Sequence, residues 1–396
     1  MSFGELALIG LIGLLGPLLA LPKRLHLPVV LGELAAGVVV GASGFGIVDA
    51  SQETFGILAD VGFALVMFVA GTHLPVRARS SSTVLVRGAV RAVLVGLVAV
   101  AFGVALARLF DLPHWSLYAV LIGSSSAALV LPTLDSLGLS GPKVGDLLPQ
   151  VAIADAVCIV ALPLAIDPAH APRAALGALA VVATAAVMCA ILWWLEHIGV
   201  RRRVHEVSER RRFALELRIQ LVLLCAIAAV AVGTHVSIML AGFTFGLAVN
   251  IVGEPRRLAK QLFALTEGFF GPLFFVWLGA SLQLRNLGQH PSMLLLGVLL
   301  GLGSVLAHLA PRLLGQPIPL GLMAAAQIGV PSAAVTIGTQ EGLLRAGEGS
   351  ALMLGALVTI AFSVVGGALA ARSSAASAGV PSPGQASGLE PPASGA

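Results

Sequence analysis

Long apolar runs alternate along the chain with short polar segments. Each run is about 17 to 25 residues long, the length an α-helix needs to cross the hydrocarbon core of a bilayer. Thirteen such runs predict thirteen membrane-spanning helices, so we expect an all-α polytopic membrane protein. The predicted spans cover residues 5–21, 28–48, 55–74, 87–107, 116–134, 147–166, 174–196, 214–232, 235–252, 268–284, 292–310, 318–340 and 350–371.

The composition supports this interpretation. The chain has 396 residues, of which 58% are hydrophobic and only 11% are charged. A soluble protein of this length needs more polar residues to cover its surface. Soluble enzymes are therefore disfavoured, and neither a cofactor nor an enzymatic activity is expected.

The positive charges predict the orientation of the spans. If the N-terminus lies outside, four basic residues fall in outside loops, and the other nineteen of the 23 Lys and Arg lie on the cytoplasmic side. The four are Arg108, Arg173, Arg285 and Arg345. Such a bias is typical of membrane proteins, and it predicts a cytoplasmic C-terminus. It also explains the net charge of +4, so no nucleic-acid partner is required.

Two fragments recur about two hundred residues apart. Residues 63–74 resemble residues 272–282, and residues 32–41 resemble residues 238–246. The second copy of each fragment lies seven spans after the first. Successive spans cross the membrane in opposite directions, so an offset of an odd number of spans reverses the orientation of the copy. The pattern predicts two inverted repeats, which are typical of secondary transporters. The transmembrane part, 1–371, would then comprise a first repeat at 5–166, a linker helix at 174–196 and a second repeat at 214–371.

Two charged or low-complexity segments lie outside the repeats. The loop 197–212 is rich in arginine, which favours contact with anionic membrane lipid. The tail 372–396 consists mainly of Ala, Ser, Gly and Pro, a composition that cannot form a hydrophobic core. We expect this tail to be disordered.

Each repeat contains one span with a helix-breaking composition. Span five carries Gly-Ser-Ser-Ser at 123–126 and proline at 132, and span twelve carries Gln327 and Pro331. Proline removes a backbone donor, and hydroxyl or amide side chains satisfy the groups that a break frees. Unwound helices present carbonyl groups to an ion. The alternative is a simple proline kink in which the serines pack between helices.

Asp155 is the most informative residue of the chain. It lies at the centre of span six, with no other charge between Asp146 and Asp167. A charged group at the bilayer centre costs about 2.5–3.5 kcal/mol on insertion scales, so such residues usually have a function. We interpret Asp155 as a proton- and cation-binding residue. The alternative is a protonated carboxyl group that is hydrogen-bonded inside the bundle.

The chain resembles the cation:proton antiporter superfamily, in particular its monovalent cation:proton antiporter-2 type. The similar segments are 27–37, 68–71, 124–127, 152–155 and 271–279. This resemblance implies the sodium/proton antiporter fold, with about thirteen transmembrane helices in two inverted repeats. It also implies a homodimer, with a dimerisation domain and a mobile core domain in which spans five and twelve cross as broken helices.

The chain departs from the family pattern at three positions. Ala154 replaces the first of two adjacent acids, and Gly303 or Ser304 replaces a lysine of electrogenic members. The sequence 326–329 reads Ala-Gln-Ile-Gly where many members have Arg-Gly-Glu. One remaining carboxylate predicts electroneutral exchange. His308, about one turn beyond the lysine position, is a possible second proton carrier.

The expected function is alternating-access exchange of a monovalent cation (Na⁺, K⁺ or Li⁺) for protons across the bacterial inner membrane. Proton and cation would compete for Asp155, the residue expected to bind the metal ion. The other expected oxygen ligands are Ser124, Ser125, Ser126 and Gln327. Two alternatives remain: a transporter or channel for another solute on this fold, and a non-transporting membrane sensor or scaffold.

Overall fold

A computed structural model describes residues 1–21, 29–72, 82–199, 213–234, 236–253, 256–282, 285, 287 and 291–377. All regular secondary structure in these ranges is helical, which confirms the expected all-α class. The loop at 200–212 and the tail at 378–396 lie outside the described residues, so the predictions made for them stay predictions.

The first predicted repeat forms eight helices. They are α1 (Phe3–Gly13), α2 (Leu15–Ala20), α3 (Val29–Val40), α4 (Glu53–Thr72), α5 (Ser82–Leu109), α6 (Trp115–Gly123), α7 (Ala127–Ser136) and α8 (Pro142–Ile166). The linker helix is α9 (Ala171–His197).

The second predicted repeat also forms eight helices. They are α10 (Leu215–Gly233), α11 (Ile238–Val252), α12 (Arg256–Leu265), α13 (Gly271–Ser281), α14 (Pro291–Leu309), α15 (Ile318–Ala324), α16 (Gly329–Gln340) and α17 (Glu348–Ser377). A π-helical turn, Thr266–Phe270, joins α12 to α13.

The helices account for all thirteen predicted spans. Nine helical segments within the described ranges are long and apolar enough to cross a membrane, and Phe3–Leu19 and Ile238–Val252 are shorter apolar helices. The remaining two spans are α3 and the interrupted pair α6–α7. One boundary differs from the expectation, because α17 continues to Ser377 rather than ending at 371. Alanine is the best helix former, so the alanine-rich start of the tail prolongs the last helix.

Glycine contacts join the two repeats. A Cβ atom on Gly37 of α3 would lie 2.3 Å from the carbonyl oxygen of Val276 in α13, and one on Gly246 of α11 would lie 2.1 Å from that of Phe68 in α4. Small residues let membrane helices approach this closely. The repeat relation exchanges the pair α3–α13 with the pair α4–α11, as expected for two inverted copies.

Four uninterrupted spans, α5, α8, α14 and α17, pack around the two interrupted ones. In the first repeat, α5 packs on both α6 and α8, while in the second repeat α17 packs on α14, α15 and α16. Helix α14 also contacts α5 and α6, which connects the two groups. The interrupted spans α6–α7 and α15–α16 therefore lie inside this group, among uninterrupted helices.

Candidate ion-binding site

Span five is interrupted at its three serines. Helix α6 ends at Gly123 and α7 begins at Ala127, so Ser124, Ser125 and Ser126 form a non-helical connection. Ser124 adopts extended backbone angles, with φ of −75° and ψ of 152°. All three serines are buried. Their hydroxyl groups therefore have to find partners within the protein.

Span twelve is interrupted as well. Helix α15 ends at Ala324 and α16 begins at Gly329, and the buried Gln327 lies in the non-helical segment between them. Pro331 is the third residue of α16. The first N–H groups of a helix have no partner within it, so a proline is tolerated in this turn. The break therefore lies before Pro331 rather than at it.

The two breaks meet. The hydroxyl of Ser124 donates to the side-chain oxygen Oε1 of Gln327. The hydroxyl of Ser125 donates to the backbone carbonyl of Ala324, with 2.6 Å between the oxygen atoms. These contacts connect residues about two hundred positions apart. The expectation of crossed, broken helices is confirmed.

Asp155 binds the start of α7. Its Oδ2 atom accepts a hydrogen bond of 3.0 Å from the backbone N–H of Ala127, the first residue of that helix. The N-terminus of a helix carries a partial positive charge, which favours a carboxylate. The Asp155 side chain is only 6% exposed. The fold thus brings Asp155 to the end of the Ser124–Ser126 connection.

His308 lies apart from these contacts. It is buried in α14, and its Nδ1 donates to the backbone oxygen of Ser304 at 2.9 Å. The Nε2 atom has no hydrogen-bond partner within the described part of the chain. The backbone of His308 packs against Gly321, one turn before Ala324. No hydrogen bond between described residues joins His308 to Asp155 or Gln327, so its predicted role as a proton carrier stays a prediction.

The local chemistry consists of one carboxylate and several neutral oxygen atoms. Hydroxyl, amide and carbonyl oxygens surround the breaks, and no group of three His, Cys, Asp or Glu side chains suited to a metal occurs among the described residues. Hard cations prefer oxygen ligands, and a single negative charge matches a monovalent cation better than a divalent one. The residues present therefore fit a proton or an alkali-metal ion.

Sequence reasoning missed two contributors to this arrangement. The Ala127 N–H and the Ala324 carbonyl are backbone groups, and alanine in an apolar run carries no chemical signal. The only sequence hint was the helix-breaking composition on either side of them.

Inverted repeats whose broken helices meet beside a buried carboxylate define a class of secondary transporters. The chain matches the family described as "Sodium/hydrogen exchanger, transmembrane" over residues 10–378. The chain belongs to this family, which is a family of multi-pass membrane transporters and not of enzymes.

Known relatives support the same assignment. The chain is 22% identical over 390 residues to the putative Na⁺/H⁺ antiporter YjbQ of Bacillus subtilis (strain 168), covering 92% of this chain and 62% of that protein. It is 26% identical over 338 residues to the probable Na⁺/H⁺ antiporter 3 of Methanocaldococcus jannaschii, covering 81% of this chain and 85% of the relative. The chain thus spans less than two thirds of the length of YjbQ.

A solved structure shares the fold. The sodium proton antiporter MjNhaP1 from Methanocaldococcus jannaschii, solved at pH 8, superimposes with a TM-score of 0.63. The match covers 92% of this chain and 97% of MjNhaP1, at 19% sequence identity. The predicted sodium/proton antiporter fold is confirmed.

Proposed function

We propose that the protein exchanges a monovalent cation for protons across a membrane, with Asp155 carrying each in turn. The observation that supports this most strongly is the placement of Asp155. It is a buried carboxylate at the N-terminus of a broken half-helix, bound by the N–H of Ala127. The family and its named relatives, which are Na⁺/H⁺ antiporters, point to the same activity.

Competition at one group couples the two substrates. Removing a carboxylate from water favours its neutral, protonated form, whereas a cation bound beside it favours the charged form. A proton and a cation therefore exclude each other at Asp155. Exposing the site alternately to the two sides of the membrane then exchanges one for the other.

Neutral oxygens around the breaks complete the proposed cation site. The candidates are the hydroxyl groups of Ser124, Ser125 and Ser126 and the amide oxygen of Gln327, together with backbone carbonyls of the interrupted segments. The Ser124 and Ser125 hydroxyls donate to neighbouring oxygens, which leaves their lone pairs available to a cation.

The remaining features are part of the same proposal. One carboxylate returns one proton for each monovalent cation, so the exchange is electroneutral. The protein is a homodimer in the bacterial inner membrane, in contact with lipid, with its N-terminus outside and its C-terminus cytoplasmic. The distribution of basic residues supports this orientation.

Proton movement in proteoliposomes tests the proposal. An internal pH dye reports proton flux after addition of Na⁺, K⁺ or Li⁺ in separate runs. We expect at least one cation to drive protons in the opposite direction, and Asp155→Asn to abolish that flux while the protein stays folded. The matched control is Asp111→Asn, because Asp111 is exposed and its positive φ of 51° is one that asparagine adopts readily.

Each alternative gives a different result in this assay. Proton flux that needs no cation would indicate a channel, and flux driven by an organic solute would indicate a different substrate. Vesicles without flux for any cation would favour a sensor or scaffold. Wild-type exchange rates in Asp155→Asn would contradict the proposed role of Asp155.

A further inference from the structure

Another buried carboxylate lies at the start of the last span. Glu348 is the first residue of α17 and is 0% exposed. Three donors surround it. The hydroxyl of Tyr118 donates to Oε1 at 2.5 Å, the Nδ1 atom of His114 lies 2.7 Å from the same oxygen, and the backbone N–H of Arg345 donates to Oε2 at 2.9 Å. None of these residues belongs to the candidate ion site.

Two of the three donors belong to the broken span five. His114 is the N-cap of α6, and Tyr118 lies one turn into that helix. Helix α6 has nine residues and ends at Gly123, directly before the serine break. Its length is therefore about 13 Å, from a rise of about 1.5 Å per residue. Glu348 thus holds the end of α6 that is remote from Ser124.

Helix α17 is also attached to the other broken span. A Cβ atom on Gly366 would lie 2.7 Å from the Cβ of Leu322 in α15, which shows how closely the two helices pack. The hydroxyl of Ser363 donates to the carbonyl of Met323 at 3.5 Å. Helix α15 leads into the break that contains Gln327, to which Ser124 donates.

These contacts link α6, the two breaks, α15 and α17 in a ring. Glu348 binds one end of α6, and Ser124 at the other end binds Gln327. Helix α15, which precedes Gln327, packs on α17, the helix that begins with Glu348. Helix α6 is short and continuous, and the serines follow directly at its end. A displacement of the end of α6 that Glu348 holds therefore also displaces the serines.

We propose that Glu348 is a positioning residue for the cation site, acting through His114 and Tyr118 on α6. It determines where Ser124 and Ser125 stand relative to Gln327 and Ala324. This inference rests on the proposed cation exchange, because it assigns to the serines a role as cation ligands.

Transport kinetics test the inference. Tyr118→Phe and His114→Leu each remove one donor to Glu348 with little change in side-chain volume, and Glu348→Gln removes the charge. We expect each variant to raise the apparent KM for the transported cation severalfold, with a smaller change in kcat per folded protein. His114→Gln keeps an N–H donor and should restore a KM close to that of the wild type.

The chain offers a matched control. The Nδ1 atom of His170 lies 2.7 Å from Oδ2 of Asp167, the same distance as in the His114–Glu348 pair. This pair is exposed and lies within one short 3₁₀ turn, Pro168–His170, of which Asp167 is the N-cap. His170→Leu should therefore leave the KM unchanged.

Hydrogen exchange supplies a readout that does not depend on transport. Loss of the anchor should speed amide exchange in a peptide that covers 115–127, because local opening of that segment becomes easier. Reconstituted wild-type protein without cation-driven flux would defeat the proposed function, and the exchange rates would still test the anchoring of α6. The inference is overturned if KM and exchange in 115–127 both stay at wild-type values in Tyr118→Phe and Glu348→Gln. A lowered melting temperature with an unchanged KM would overturn it too, by showing a purely structural anchor.

Discussion

Asp155 takes its proposed role from its surroundings as much as from its charge. A buried carboxylate without partners is unstable in an apolar bundle, and the Ala127 N–H together with the dipole of α7 reduces that cost. Within the described part of the chain Asp155 has one direct hydrogen bond, which leaves the other oxygen lone pairs of the carboxylate available. A proton or a cation can use them, which a fully saturated carboxylate would not permit.

The neutral ligands give a prediction at the residue scale. We expect Ser125→Ala, Ser126→Ala and Gln327→Ala to raise the apparent cation KM by a few-fold to about tenfold each. The reason is that losing one neutral ligand costs about 0.5–1.5 kcal/mol of binding free energy. Proton flux in proteoliposomes over a range of cation concentrations measures this effect.

Ser281→Ala is the control for these variants, since the Ser281 hydroxyl donates only within its own helix, to the carbonyl of Leu278. The melting temperature of each variant has to be measured in parallel. An unchanged KM combined with a lower melting temperature would support the alternative in which the serines only pack between helices.

At the scale of elements, the helices divide into interrupted and continuous ones. The interrupted spans α6–α7 and α15–α16 lie among continuous helices. Lipid cannot form hydrogen bonds with the backbone groups that the interruptions free, so these spans have to be surrounded by protein. The glycine-mediated pairs α3–α13 and α4–α11 bring backbones of the two repeats into contact. These close contacts therefore help to hold the two inverted copies together in one bundle.

A glycine substitution tests this close packing. In Gly246→Ala, the new Cβ would lie 2.1 Å from the Phe68 carbonyl oxygen, so the two helices must separate. We expect a loss of about 1–3 kcal/mol in stability, the usual effect of overpacking. Thermal unfolding in detergent measures the change as a lower melting temperature.

The matched substitution is Gly96→Ala in α5, where a Cβ meets nothing within 4 Å. Alanine forms helices better than glycine, so this variant should be neutral or more stable. Equal melting temperatures for the two variants would contradict the packing argument.

For the whole molecule, the central question is how much charge crosses the membrane per cycle. Asp155 is the acid that the crossed breaks bring into the candidate site, and one carboxylate exchanges one proton for one monovalent cation. We therefore predict that neither the rate nor the end-point of exchange follows an imposed membrane potential. The measurement uses proteoliposomes in which valinomycin and a K⁺ gradient set the potential, with Na⁺ as the transported ion.

His308 is the residue that could make exchange depend on the membrane potential. Its Nε2 atom has no partner among the described residues, and a neutral imidazole nitrogen can accept a proton. If exchange follows the potential, the one-proton mechanism is wrong. Loss of that dependence in His308→Gln would then identify the second carrier.

The sequence by itself determined the membrane class, about thirteen spans and the inverted repeat, and it identified Asp155 as the candidate site residue. The reason is that a bilayer imposes strict local rules. Spans must be long and apolar, a charge inside them is costly, and Gly, Ser and Pro mark where a helix is interrupted. Such rules act on neighbouring residues, so they can be read from the chain without knowledge of its packing.

Only the tertiary structure decided which groups meet. The partner of Asp155 is a backbone N–H of Ala127, and the partners of the serines are Gln327 and a carbonyl about two hundred residues away. Glu348, at the start of an ordinary apolar span, binds Tyr118 across 230 positions. Packing of distant helices selects these pairs, and a local pattern of apolar residues carries no information about which faces will touch.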